Sequence, residues 1–136
     1  MKTPGTSPGR GPATGASGRR EVGRLGEEAA IAALQASGYR IVEKNVRLRR
    51  GELDVVAEEH GVIVFVEVKS RRTALFGTPA EAVTARKQRA LVGLAAAYLT
   101  RRALAERPCR FDVAEVWLGR DGRPARVEII RDAFRA

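Results

Sequence analysis

Asp54, Glu67 and Lys69 stand where two consecutive strands could gather them. Gly51-Glu52-Leu53-Asp54 is followed, one short turn later, by Phe65-Val66-Glu67-Val68-Lys69. With His60-Gly61 as a two-residue turn, Glu59 pairs with Val62, Asp54 falls opposite Glu67 and Glu52 opposite Lys69. Side chains alternate across a strand, so Asp54, Val56, Phe65, Glu67 and Lys69 share one face. Leu53, Val55, Val64, Val66 and Val68 line the other. Directly opposed residues have β-carbons roughly 4.5–5.5 Å apart, where like charges destabilise. A divalent cation offsets that repulsion, and hard carboxylate oxygens are the ligands of Mg²⁺ or Mn²⁺. The chemistry this arrangement suits is metal-assisted cleavage of a phosphodiester. Lys69 could orient the attacking water, neutralise charge in the transition state or act as a base; the sequence leaves these roles open. The same residues also fit the exposed half of an amphipathic strand, with Asp54 capping a turn.

Further candidates surround this hairpin. Glu27, Ile31 and Leu34 share one face of a helix, so Glu27 could reach a metal directly or through water, or could serve only as a first-turn acid favoured by the helix dipole. Lys87 and Gln88 open a second helix and could touch a phosphate. Arg47, Arg49, Arg50, Arg71 and Arg72 flank the acidic hairpin; singly each reads as solvated, together they suit a nucleic-acid rim.

The elements that must position these residues follow from pattern and punctuation. Residues 23–37 form a helix stopped by Gly38. Residues 39–48, 52–58 and 62–70 form three strands, and residues 71–77 a loop. Thr78-Pro79-Ala80-Glu81 resembles a capping box, with Thr84 as a second cap. A helix then runs to about residue 105, and Pro108 closes the region. Residues 111–118 and 125–130 are strands joined by a Gly- and Pro-containing turn. Helix, three strands, helix, two strands predicts an α/β domain with a central mixed sheet flanked by helices.

Composition sets the outer bounds. The chain has 136 residues and a formal net charge of +9, which points to a polyanionic partner, most often nucleic acid. Residues 1–20 are rich in Gly and Pro, hold no acid and read as a disordered basic tail. Removing its Lys2, Arg10, Arg19 and Arg20 leaves +5 on residues 21–136, the expected folded domain. Cys109 is the only cysteine and His60 the only histidine, which excludes a disulfide within the chain and any site needing two histidines. Cys109 is expected to pack as a small hydrophobe. No signal-peptide core or membrane-spanning run is evident, so a cytoplasmic protein with no membrane partner is expected.

Several motifs together resemble the YraN-like uncharacterised bacterial family: Gly23-Arg24-x-Gly26-Glu27, Asn45, Arg47, Gly51-Glu52-Leu53-Asp54, Phe65-Val66-Glu67-Val68-Lys69, Phe76-Gly77, Lys87-Gln88 and Arg110-Phe111-Asp112-Val113. The resemblance covers about residues 20–134. That family is similar in fold to archaeal-type Holliday-junction resolvases and the PD-(D/E)xK nuclease superfamily. The resemblance implies a restriction-endonuclease-like core and Mg²⁺-dependent phosphodiester cleavage. It makes Asp54 the first metal-binding aspartate, Glu67 the second carboxylate, Lys69 the motif lysine and Glu27 the acid of the first helix. Leu53 stands where the superfamily's name has proline. The expected function is therefore an endonuclease acting on DNA, with branched or damaged structures as its substrates, and a homodimer by analogy with resolvases. The alternative is a non-catalytic nucleic-acid-binding module that keeps a remnant acidic cluster. A third reading, a small adaptor binding a protein partner through its basic face, would lack steep salt dependence.

Overall fold

Runs of Val, Ile and Phe with two-residue periodicity favour extended chain, and in the computed structural model they build one five-stranded sheet. The structure describes residues 16–72 and 83–136. In chain order the elements are α1 (Ala16–Ala36), β1 (Arg40–Leu48), β2 (Gly51–Glu59), β3 (Val62–Arg72), α2 (Ala85–Arg101), β4 (Cys109–Leu118) and β5 (Pro124–Phe134). The strands lie side by side in sequence order. Every neighbouring pair is antiparallel except β3 and β4, which are parallel. A parallel pair needs a crossover, and α2 supplies it. The domain is thus the mixed α/β sheet with flanking helices that the pattern predicts.

The two helices bury opposite faces of the sheet. On one side Leu91, Leu94, Ala95, Tyr98 and Leu99 of α2 pack on Val46, Leu48, Leu53, Val56, Ile63, Phe65 and Phe111. Phe65 meets the Tyr98 ring edge-on at 5.8 Å, and Phe111 stacks on Phe134 at 4.9 Å. On the other side Ala30 and Leu34 of α1 cover Val55, Ala57, Val64, Val66, Ala114 and Val116. The β2–β3 turn is a two-residue one, with His60 at φ 52° and Gly61 at φ 80°, and Glu59 pairs with Val62.

Several element bounds differ from the sequence reading. α1 begins at Ala16, inside the stretch assigned to the tail. Ala16, Arg19, Arg20 and Glu21 are good helix formers, and an isolated glycine costs only about 1 kcal/mol. β3 continues through Arg72, because Arg71 and Arg72 keep pairing with Trp117 and Leu118. The capping-box segment and the remainder of the expected loop, residues 73–82, lie outside the described residues. α2 starts at the second cap, where Thr84 Oγ1 accepts from Lys87 N at 3.1 Å. It stops at Arg101 because Ala103 turns left-handed at φ 58° and Leu104 N returns to Leu99 O, a closure that ends helices. β5 reaches Phe134 instead of Ile130. Its apolar alternation is interrupted by Arg131 and Asp132, where the ladder slips between Phe111 and Val113. Cys109 is exposed, not packed, since it begins an edge of β4 beyond the aromatic stack.

Buried charges clamp the sheet at the β2–β3 turn. Asp112, fully buried, accepts from Tyr39 Oη at 2.6 Å and from Arg110 Nε at 2.9 Å. Glu59 is held by Arg110 and Arg131, each at 2.6 Å. The Arg131 bonds push the Glu59 carboxyl down to about 2.

Candidate active site

β2 and β3 separate where the acids lie. Their ladder runs from Glu59↔Val62 to Val55↔Val66 and is not continued at Asp54. There a side chain replaces the backbone partner: Asp54 Oδ2 accepts from Val68 N at 2.9 Å. On β1, Asn45 takes a left-handed φ of 52°, which asparagine tolerates. This shifts the strand phase. Leu53 packs on the α2 side while Val55 packs on the α1 side, so the two do not share a face as strict alternation requires. Asp54 sits at the phase shift. It lines a cleft of about 480 Å³ beside α1, with Glu27, Asn45, Glu52, Val68 and Ser70.

Glu67 reaches the same seam from the other side. Its carboxylate is 3.3 Å from Lys87 Nζ, and its side chain is 15 % exposed. Burial raises the pKa of Asp54, and the hydrogen bond from Val68 N only partly opposes this. Burial also raises Glu67, and the charge of Asp54 pushes it further up. The two carboxyl groups are hydrogen-bonded to one another. Each acid resists ionising while its neighbour is charged. The predicted meeting of Asp54 and Glu67 is therefore present, though they arrive by the divergence of two strands and not as a flat cross-strand pair.

Glu27 faces Asp54 across the cleft. It accepts from Asn45 Nδ2 at 2.9 Å. Burial raises its pKa, Asn45 opposes this, and the charges of Asp54 and Glu52 add to the rise. α1 comes this close because Gly26 lacks a side chain: a β-carbon there would stand 2.7 Å from Ser70 Oγ. Among the described residues no group of three or more His, Cys, Asp or Glu side chains is gathered tightly enough to hold a metal ion. What is present is the Asp54–Glu67 pair, with Glu27 and Glu52 at the electrostatic distance. Two adjacent, partly buried carboxylates fit a hard cation, which commonly takes one or two carboxylates and fills its other positions with water and phosphate oxygens.

The remaining candidates divide. Lys69 is half-buried, two residues beyond Glu67, and makes no ion pair among the described residues; Lys87 is the amine that neutralises Glu67. Arg47, Arg49 and Arg50 are exposed around the β1–β2 turn. Arg71 is directed elsewhere, its Nε donating to the buried Glu115 at 3.1 Å. Gln88 spends its amide on the Val83 carbonyl at 2.8 Å, closing the start of α2. Glu52, Asn45 and Ser70 line the cleft without having been singled out as site residues. Only Asn45, a residue prone to left-handed backbone in the middle of a strand pattern, offered a local signal.

Comparison with known proteins agrees with the motif resemblance. The pattern of Uncharacterised protein family UPF0102, the YraN family, matches residues 26–116. A UPF0102 protein of Symbiobacterium thermophilum is 56 % identical over 117 residues, which cover 86 % of this chain and 98 % of that one. A UPF0102 protein of Moorella thermoacetica is 53 % identical over 116 residues, 85 % of this chain and 97 % of that one. Two solved structures overlap loosely. One is an FdxN element excision controlling factor protein from Anabaena variabilis, 16 % identical, with a TM-score of 0.36 over 76 % of this chain and 98 % of that one. The other is Pyrococcus furiosus SfsA in complex with Ca²⁺, 18 % identical, with a TM-score of 0.38 over 83 % of this chain and 62 % of that one.

Proposed function

The chain belongs to the uncharacterised protein family UPF0102, and from its paired acids we propose that it is a divalent-metal-dependent endonuclease cleaving phosphodiester bonds in DNA, branched or damaged structures being its substrates. One observation carries the reading: Asp54 and Glu67, both partly buried, meet at the seam where β2 and β3 part, and each holds the other's carboxyl in its electrostatic reach. Such a pair is costly to the fold and is the donor set a hard cation requires. In this reading the core is restriction-endonuclease-like and two copies pair to cut two strands.

Asp54 and Glu67 would hold Mg²⁺ or Mn²⁺, with Glu27 assisting through water. When bound, the cation would polarise the phosphate and lower the pKa of attacking water. The chain's own groups do the rest. Val68 N fixes the Asp54 carboxylate, so its orientation does not depend on ligand. Lys87, 3.3 Å from Glu67, neutralises that carboxylate, and with a cation held there its ammonium would be available to a phosphate. Lys69, half-buried and unpaired among the described residues, is placed to orient water or to meet developing negative charge.

The test is incubation with linear, nicked, flapped and four-way DNA in Mg²⁺ and Mn²⁺. The wild type should cleave at least one substrate, and Asp54→Asn should be slower by about 10²-fold, the scale of losing one group that stabilises the reacting charge. Equal cleavage by the variant would refute the assignment. A second reading, a non-catalytic nucleic-acid-binding module, is favoured by the Lys87–Glu67 ion pair, an internal cation that already offsets one acid. It predicts DNA binding indifferent to Mg²⁺ and cleavage of none of the substrates.

A further inference from the structure

A second basic feature lies outside the acidic cleft. Between the β1–β2 turn and the outer face of α2 runs a groove of about 570 Å³. Arg49 and Arg50 form one wall, Arg89 and Arg101 the other, and Gly93 and Leu94 lie between them. No acidic and no aromatic residue lines it. α2 carries no acidic residue over its whole length. Several arginines elsewhere have carboxylate partners, as in Arg24–Glu28, Arg102–Glu43, Arg107–Glu58 and Arg135–Asp132, while others, such as Arg47 and Arg126, have no such partner among the described residues. Among the described residues the four groove arginines have none. Four guanidinium groups left uncompensated around one depression repel each other, and their complement is a string of regularly spaced anions.

We propose that this groove seats the sugar-phosphate backbone of a DNA duplex arm, apart from the phosphodiester held at the Asp54–Glu67 seam. Arg89 and Arg101 are twelve residues apart on one helix, about 18 Å at 1.5 Å per residue. That length matches about five steps of a strand at 3.4 Å each. The missing aromatics exclude a stacking platform for single-stranded bases, so the contacts go to phosphates and position the nucleic acid without reading it. In sequence, both walls of the groove lie close to the acidic seam. Arg50 directly precedes the β2 segment that ends in Asp54, and Arg89 lies two residues from Lys87, the partner of Glu67. A strand leaving the seam past Lys87 would continue along α2. This deepens the nuclease reading by naming where the uncut part of the substrate rests.

The experiment is fluorescence anisotropy of a labelled duplex with the full chain in EDTA, repeated across about 50–200 mM salt. The proteins are the wild type, Arg89→Gln/Arg101→Gln, Arg89→Lys/Arg101→Lys and Asp54→Asn. Each phosphate contact contributes about 0.9 to the slope of log K against log salt, so the glutamine pair should flatten it by about 2. The lysine pair should keep the slope, and so should Asp54→Asn. An unchanged slope in the glutamine pair overturns the groove, as does capture of an acidic peptide there with DNA affinity unaltered. Loss of cleavage in every protein with the slope difference intact removes the nuclease reading and leaves the groove standing.

Discussion

The Asp54–Glu67 pair is maintained at a cost. Both carboxyl groups are held above their ordinary pKa chiefly by burial. A carboxyl whose folded pKa is raised binds more protons folded than unfolded, so stability falls as pH climbs from the unfolded value, 4.5 for Glu67, through the folded one. Below that window the charge is absent from both states and costs nothing. Glu67→Gln should therefore be more stable than wild type near neutrality, with the gap closing as pH falls below the unfolded value. Urea titrations at several pH values check this, and a variant destabilised equally at all of them would show that Glu67 acts mainly through Lys87. Asp54 and Glu67 were legible as neighbours because the His60-Gly61 turn brings them to the same level of β2 and β3, although the period of two did not foresee the slip in phase at Asp54. The ion pair with Lys87 was not, since it joins residues twenty positions apart through helix packing that no local pattern encodes. The same holds for Glu52, whose role depends on where the ladder stops.

At the scale of elements, the cleft exists because α1 rides close over β3. Gly26 permits this, with only 2.7 Å between its would-be β-carbon and Ser70 Oγ. An alanine there could be met by rotating the serine hydroxyl. Gly26→Val adds branched bulk against β3 and should lift α1, costing about 1–3 kcal/mol in denaturant unfolding. It should also draw Glu27 off Asn45. Retention of full stability would mean that α1 sits more loosely than its packing indicates. Element order was readable from periodicity because β2, β3 and α2 are strongly patterned. The bounds that escaped it have separate causes. Ala103 ends α2 in a left-handed conformation for which alanine gives no warning. β5 hides its final core residue, Phe134, behind Arg131 and Asp132, which are drawn to Glu59 and Asp112. Leu53 and Val55 part company because the strand slips phase at Asn45 and Asp54, and a period-two reading assumes that it does not.

Across the whole molecule, the two ends of the β2–β3 pair have opposite electrostatic economies. At the turn, Glu59 and Asp112 are saturated by arginines and tyrosine, and the burial of charge is compensated within the chain. At the far end, Asp54 and Glu67 have one lysine between them and are held above their ordinary pKa, in a chain whose formal net charge is +9. No helix among the described residues is long and apolar enough to cross a membrane. A basic exterior around an under-compensated acidic seam is what a protein that brings a cation to a polyanion requires. Calorimetric titration of Mn²⁺ into the full chain, just above the ordinary carboxylate pH range and in buffers of different ionisation enthalpy, tests that claim most directly. Saturable binding accompanied by proton release, lost in Asp54→Asn, is the predicted result; no saturable binding, or binding of equal affinity in Asp54→Asn, would contradict it.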